Sequence, residues 1–338
     1  MRRLGSRVLL LATVATTLLA ARPAAAAPLP AHVFAPYFET WTSDTITGLA
    51  QASGDRYFTL AFLETTSKRS CTLAWNGVKS QTIASGRYLA DIASLRAIGG
   101  NVIPSFGGWS ADQGGTEIGD SCRDVRSIAA AYESVVTTYG VTRLDMDIEG
   151  RSLTRTAGID RRNQAIALLQ RWAATTGHTV EVQYTLPTSA DGLESSGLAV
   201  LQNAKANGVR IDLVNPMVFD YYDKVTTDMG AAAVAASQGL HAQLAALLPA
   251  KTSAQVWAMQ GATIMNGVDD YPGGTEVTTL ADAQRLLDFA RTKGMRSLSM
   301  WAIQRDNGGC PGGRAANDCS GIAQATWAFS QLLVPFTG

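Results

Sequence analysis

An α/β architecture, and within it a closed (β/α)8 TIM barrel, is the fold this sequence predicts, on three observations. Short β-rich runs alternate with longer Ala-rich amphipathic runs from residue 28 onward. Eight runs of the first kind occur, the number that closes such a barrel. Neither G-x-G-x-x-G nor G-x-x-x-x-G-K-[ST] occurs, whereas a doubly wound nucleotide-binding sheet would normally carry such a loop.

In chain order, strands are expected at 33–38 and 57–63, followed by a helix at 88–97. The strand at 101–106 precedes a helix at 124–139, and the strand at 143–148 a helix at 161–175. The pairs 180–186 with 198–206, 211–219 with 231–248, and 255–259 with 281–292 continue the pattern, and a strand at 297–302 ends it. The 124–139 helix is typical: Val125, Ile128, Ala129, Tyr132 and Val135 recur at helical spacing, and Gly140 stands just past the end. No Pro/Ser-rich linker, constant-period repeat or low-complexity tract interrupts residues 28–338, which read as a single barrel domain.

Composition limits the partners. The chain of 338 residues is 46% apolar and 17% charged, which fits a globular core and excludes disordered or collagenous classes. Lys+Arg and Asp+Glu both number 28, so the basic excess of a nucleic-acid binder is missing. Residues 1–27 hold Arg2, Arg3, Arg7 and Arg22 and no acid, so the remainder carries 24 basic against 28 acidic groups, a net charge of −4. A basic start, an apolar run over 8–21 and the small residues 24–27 read as a secretory signal peptide cut near Ala26 or Ala27. The expected destination is extracellular. No later run of about twenty apolar residues offers a membrane span, so no membrane contact is expected after cleavage.

Export permits disulfides, and four cysteines allow three pairings. Cys310 and Cys319 bracket a Gly-rich stretch that a local bridge could close, which pairs Cys71 with Cys122. No short zinc spacing occurs among them.

The chemistry is expected at the C-terminal ends of the strands. The fourth strand ends Leu144-Asp145-Met146-Asp147-Ile148-Glu149. Period two places the three acids on one face and the three apolar residues on the other. In a parallel barrel the apolar set packs on helices, so the acids point inward. Mutual repulsion and desolvation then hold at least one proton near neutral pH, the condition for a general acid. A Mg²⁺ or Ca²⁺ site is the alternative use of three acids, but no His or further acidic cluster completes a coordination sphere. The three widely scattered His also disfavour Ser-His-Asp chemistry.

These acids resemble the D-x-x-D-x-D-x-E signature of glycoside hydrolase family 18, the chitinase family. Asp145, Asp147 and Glu149 match its last three acids, while Thr142 and Arg143 depart from its first acid and the glycine that often follows. Ser105-Phe106-Gly107-Gly108 is similar to the family's S-x-G-G. Met217-Val218-Phe219-Asp220 stands where the family often has M-x-Y-D, and Trp301 where it has a floor tryptophan. The stretch from Gly267-Val268-Asp269-Asp270 to Arg305-Asp306 looks like the bacterial and archaeal chitinase-like branch.

The resemblance implies substrate-assisted, retaining hydrolysis of β-1,4-linked N-acetylglucosamine without a cofactor or metal. Glu149 would be the general acid and base, Asp147 the partner of the acetamido N–H, and Asp145 the group that tunes Asp147. Ser105 would orient the ladder. Phe219 cannot supply the hydroxyl of the family's tyrosine, so Tyr221 or Tyr184 is expected to do so. Met217, Asp220, Asp306, Tyr37, Trp41, Trp75, Trp109 and Trp301 are expected around the sugar, and Trp172 and Trp327 in the core. Glu39 and Glu64, near strand ends, read as solvated loop acids, with hydrogen bonds to sugar hydroxyls as the alternative. The family also implies alternatives: an endo-β-N-acetylglucosaminidase acting on N-glycans, or a non-catalytic carbohydrate-binding or inhibitory barrel. A metal-dependent hydrolase built on the same acids is a further alternative. A monomer is expected.

Overall fold

The computed structural model describes residues 28–270, 276–314 and 316–338, so the expected leader lies outside the described residues. The first strand forms in two pieces, Val33–Phe34 and Tyr37–Glu39, labelled together β1. Pro36, which has no N–H for a ladder, separates them, and its carbonyl accepts from the Thr59 N–H at 2.9 Å. Then come β2 (Tyr57–Thr65), β3 (Asn101–Gly107), β4 (Arg143–Asp147) and β5 (Glu181–Ser189). The last three are β6 (Leu213–Met217), β7 (Thr263–Met265) and β8 (Ser297–Trp301). Each pairs in parallel with the next, and β1 closes the barrel: Val33 lies opposite Ser297 of β8 and Tyr37 opposite Thr59 of β2.

Helices Leu89–Ala97, Val125–Tyr139, Thr156–Thr176, Ser195–Ala206, Met229–Leu247 and Leu280–Lys293 match the six expected ones. The ends of Val125–Tyr139 follow from its sequence. The Asp124 side chain accepts the Ser127 N–H, and Gly140 turns left-handed at φ 61° to return its N–H to Val136. Ile46–Ser53 and Ala328–Leu333 complete the outer ring and were not expected. One strand assignment needs correcting. Residues 255–259 belong largely to a helical turn, Ser253–Trp257, opened by a capping box between Thr252 and Gln255. The seventh strand lies further on and has only three residues, too few for an alternating pattern to register.

Leu144, Met146 and Ile148 point out of the barrel and join Ile128, Val135 and Leu169 in one continuous apolar core between sheet and helices. The barrel interior is polar instead. At its N-terminal end Arg143 pairs with Glu181 at 2.9 Å, and Arg296 reaches the same carboxylate. Arg143, where the family often has glycine, thus helps plug the barrel floor. One layer up, Asn215 Nδ2 donates to Thr185 at 3.0 Å and to Thr263 at 2.7 Å. A polar interior of this kind can hold a buried charge that an apolar one would reject.

Both expected disulfides form. Cys71–Cys122 ties the segment beyond β2 to the end of the short helix Ile118–Ser121, and Cys310–Cys319 closes a loop beyond β8. Among the described residues no helix is long and apolar enough to cross a membrane.

Candidate active site

Asp145 faces Ser105 on β3 and Gln183 on β5, and Asp147 faces Gly107 and Thr185, so both acids share the inward face of β4. Asp145 is fully buried and accepts four hydrogen bonds: from Tyr37 at 2.9 Å, Ser105 at 2.7 Å, Gln183 at 3.0 Å and Thr185 at 2.6 Å. Burial raises its pKa, and these bonds act against that rise. A carboxylate has about four acceptor sites. With all of them used, the network favours the charged form, while its three hydroxyl donors can turn to accept a proton placed there.

Asp147, one step nearer the mouth, has no such cage. Its Oδ1 is buried without a hydrogen-bond partner among the described residues. Burial and then the charges of Glu149, Asp145 and Asp112 push its pKa well above the carboxylate range. Glu149 stands just past the strand on the cleft wall, and its pKa rises to about 7, first through desolvation and then through Asp270, against the Trp109 backbone N–H. Burial and mutual repulsion therefore favour bound protons along the ladder, and the hydrogen-bond cage opposes this at Asp145.

The two glycines at the end of β3, Gly107 its last residue and Gly108 the next, make this stacking possible. Gly107 and Gly108 have φ of 98° and 80°. A Cβ on Gly107 would stand 2.1 Å from the Asp147 carbonyl oxygen, and one on Gly108 would stand 2.5 Å from the Phe62 ring.

The ladder opens into a cleft of about 710 Å³. Trp301 lines its floor, with Phe62 stacked beside it at 5.6 Å and 12°, and Trp41 stacked on Phe62 at 6.4 Å and 27°. Tyr37, Trp109, Met217, Phe219 and Asp220 also line it, and so does Glu64, which accepts from Thr116 instead of standing as a solvated loop acid. Trp109 is 56% exposed and so does not belong to the core.

Several expected residues lie elsewhere. Tyr184 stands opposite Met146 on the outward face of β5 and donates to Asn163 at 2.8 Å. Tyr221 is buried, its hydroxyl has no partner among the described residues, and it does not line the cleft. Ser105 lies beneath Asp145, where it can orient the acid but not touch a sugar directly. Trp75 is fully buried with its indole N–H on Tyr139. Glu39 is buried outside the cleft, and Asp306 caps Ala328–Leu333 by accepting from the Phe329 and Ser330 N–H groups.

Other residues at the cleft were not foreseen: Phe62, Asn76, Thr185, Tyr222, Thr263, Met265, Asp270 and Asn317. Tyr222, not Tyr221, lines the cleft. The loop after β6 uses positive φ at Asp220, Tyr222 and Lys224, and carboxylates pin it. Asp269 accepts from the Asp220 N–H at 2.9 Å, and Glu276 accepts from the Tyr221 and Tyr222 N–H groups at 2.9 and 3.2 Å. Asp220, Asp269 and Asp270 bring one oxygen each within 4.8 Å of one another.

A closed (β/α)8 barrel with an acid ladder over an aromatic floor places the chain among the carbohydrate-processing barrels. The model of the family described as Glycosyl hydrolases family 18 matches residues 33–285, and the chain belongs to that family. It is 32% identical over 323 residues to a probable bifunctional chitinase/lysozyme of Escherichia coli K12, covering 91% of this chain and 35% of that protein. It is 34% identical over 287 residues to Endochitinase 11 of Metarhizium anisopliae, covering 82% of this chain and 53% of that protein. The chain thus spans about a third and about half the length of these relatives. Active domain 2 of a Pyrococcus furiosus chitinase superposes with a TM-score of 0.80 at 32% identity, covering 92% of this chain and 97% of that one. A second structure of that domain, complexed with chito-oligosaccharides, gives a TM-score of 0.81 at 32% identity, covering 92% of this chain and 96% of that one.

Proposed function

We propose that this chain is a glycoside hydrolase that cleaves β-1,4 bonds between N-acetylglucosamine units, in chitin or chitooligosaccharides, with retention of configuration. The observation that carries this reading is Glu149, titrating near pH 7, beside the unpartnered Oδ1 of Asp147 in a cleft floored by Trp301. The chito-oligosaccharide complex of the Pyrococcus furiosus domain supports the choice of substrate. The residues before 28 serve, in this reading, as an export signal.

The steps follow from the ladder. Glu149 gives its proton to the glycosidic oxygen as the bond to the leaving sugar breaks. The acetamido oxygen of the −1 sugar attacks its own anomeric carbon, closing an oxazolinium ring on the face opposite the leaving group. Asp147 passes its proton down the ladder to Asp145, whose hydroxyl partners can turn to accept it, and the carboxylate so formed accepts the acetamido N–H and offsets the ring's positive charge. Glu149, now a carboxylate, removes a proton from water, which opens the ring at the anomeric carbon. Two inversions give retention. Because the nucleophile is already attached to the reacting carbon, its effective concentration is high.

Early product from N-acetylated oligomers, followed by proton NMR, should be the β-anomer, and fully deacetylated oligomers should not be cleaved. An initial α-anomer, or equal cleavage of the deacetylated chain, would discard this mechanism.

Phe219 lines the cleft and has no donor, so Tyr222 supplies the hydroxyl that steadies the acetamido oxygen. Tyr222→Phe is expected to lower kcat about 10-fold to 100-fold, the range for one lost transition-state donor. An unchanged kcat in steady-state assays assigns that task to another group.

A further inference from the structure

Asp112 lies in the short helix Trp109–Gly114 behind the ladder and is 0% exposed. Its Oδ2 accepts the backbone N–H of Glu149, and its Oδ1 has no hydrogen-bond partner among the described residues. None of the steps above uses it. Four titratable or charged groups face it: Glu149, Asp147, and the buried Glu117–Arg162 pair, joined at 2.7 and 3.1 Å. The carboxyl is also fixed at its own root. Its backbone N–H bonds to the Gly108 carbonyl at 3.0 Å, and the Gly108 N–H bonds to the Asp147 carbonyl at 3.1 Å. A Cβ on Gly107 would stand 3.3 Å from Oδ1. One side chain therefore bridges the segment after β3 to the backbone that carries Glu149.

We propose that Asp112 is a positioning residue for Glu149, which by accepting that N–H fixes the backbone from which the acid projects into the cleft. The inference rests on the reading of Glu149 as general acid. Glu149 is the residue where β4 gives way to the 3-10 turn Gly150–Leu153, so no strand ladder holds it there. A buried N–H needs an acceptor, and Asp112 supplies one. The role needs an oxygen, not a charge. Burial and the Glu117 carboxylate push the Asp112 pKa well above the usual range, which favours the neutral acid, similar in shape to asparagine.

The test compares Asp112→Asn with Asp112→Leu, which fills similar volume without an acceptor, and runs Glu149→Gln beside them. Asp112→Leu is expected to lose about 10-fold to 100-fold in kcat with KM within about threefold, the scale of a small misplacement of a catalytic group. The basic limb of its pH profile should also move. Asp112→Asn should keep most of the wild-type kcat and the same limb. A purely structural residue would lower Tm in the variants while kcat and the limb stayed fixed in the folded enzyme. The inference is overturned if folded Asp112→Leu has wild-type kcat and pH profile, or if Asp112→Asn is as impaired as Asp112→Leu. If Asp112→Leu does not fold, Asp112→Asn decides alone: retained kcat supports the inference, and a loss beyond about 10-fold overturns it. Full activity in Glu149→Gln would instead remove the general-acid reading beneath it.

Discussion

Glu149→Gln is expected to lower kcat by about 10³-fold while KM stays within a few-fold, because one carboxyl acts as acid in the first step and base in the second. Glutamine keeps the shape and can still hydrogen-bond, but it has no proton to exchange at neutral pH. Steady-state kinetics on a fluorogenic N-acetylchitobioside check this directly, and a loss under about tenfold would exclude Glu149 as the proton carrier. With Glu149 titrating near 7, wild-type kcat/KM should fall as pH rises past that value. Asp270 contributes to that elevation, so Asp270→Asn should move the fall to lower pH.

The same titration has a stability consequence of definite sign. Glu149 shifts from an ordinary 4.5 to about 7 in the folded protein, so the native state holds this proton more tightly than the unfolded chain does. Its contribution to stability is complete below about 4.5 and is lost as pH rises through about 7. Glutamine cannot ionise. Thermal melts of Glu149→Gln and wild type should therefore agree near pH 4 and separate at pH 8, with the variant melting higher. The cleft keeps a reactive acid at the expense of alkaline stability, a common trade at functional sites.

Where the backbone stays regular, alternation in the sequence was a sound guide to the site. β4 is an unbroken parallel strand, so spacing alone placed Asp145 and Asp147 inward and Leu144 and Met146 outward. The rule fails where the backbone departs from it. Phe62 shares sequence parity with Phe58 and Leu60, which join the outer core, yet it lines the cleft because the register slips between Leu60 and Leu63. Tyr221 shares parity with Phe219, but β6 ends at Met217 and the positive φ of Asp220 ends the alternation. Tyr222 therefore lines the cleft and Tyr221 does not. Asp112 and Asp270 come from short connecting segments, whose course no periodicity encodes. The closed barrel was legible because most strands and helices repeat long enough to show a period, and the three-residue β7 was not.

Asp147→Asn is the second large expected effect, about 10²-fold to 10³-fold in kcat with KM little changed. The variant separates two tasks. Its amide oxygen can still accept the acetamido N–H, so the sugar should remain oriented. A neutral amide cannot offset the positive charge of the oxazolinium, and that interaction strengthens only as the ring closes. The ladder places this demand on Asp147 rather than on Asp145. The lower acid has its oxygens committed to Tyr37, Ser105, Gln183 and Thr185, while the upper one keeps an unpartnered oxygen. Asp147→Ala removes both tasks and should raise KM as well as lower kcat. Because burial and neighbouring acids raise the Asp147 pKa, ionising it as pH rises destabilises the native state, so Asp147→Asn should melt above wild type in alkaline buffer. Kinetics and melts on one preparation distinguish the outcomes: a stabilised but slow Asp147→Asn supports the charge role, whereas a kcat within about threefold of wild type removes it.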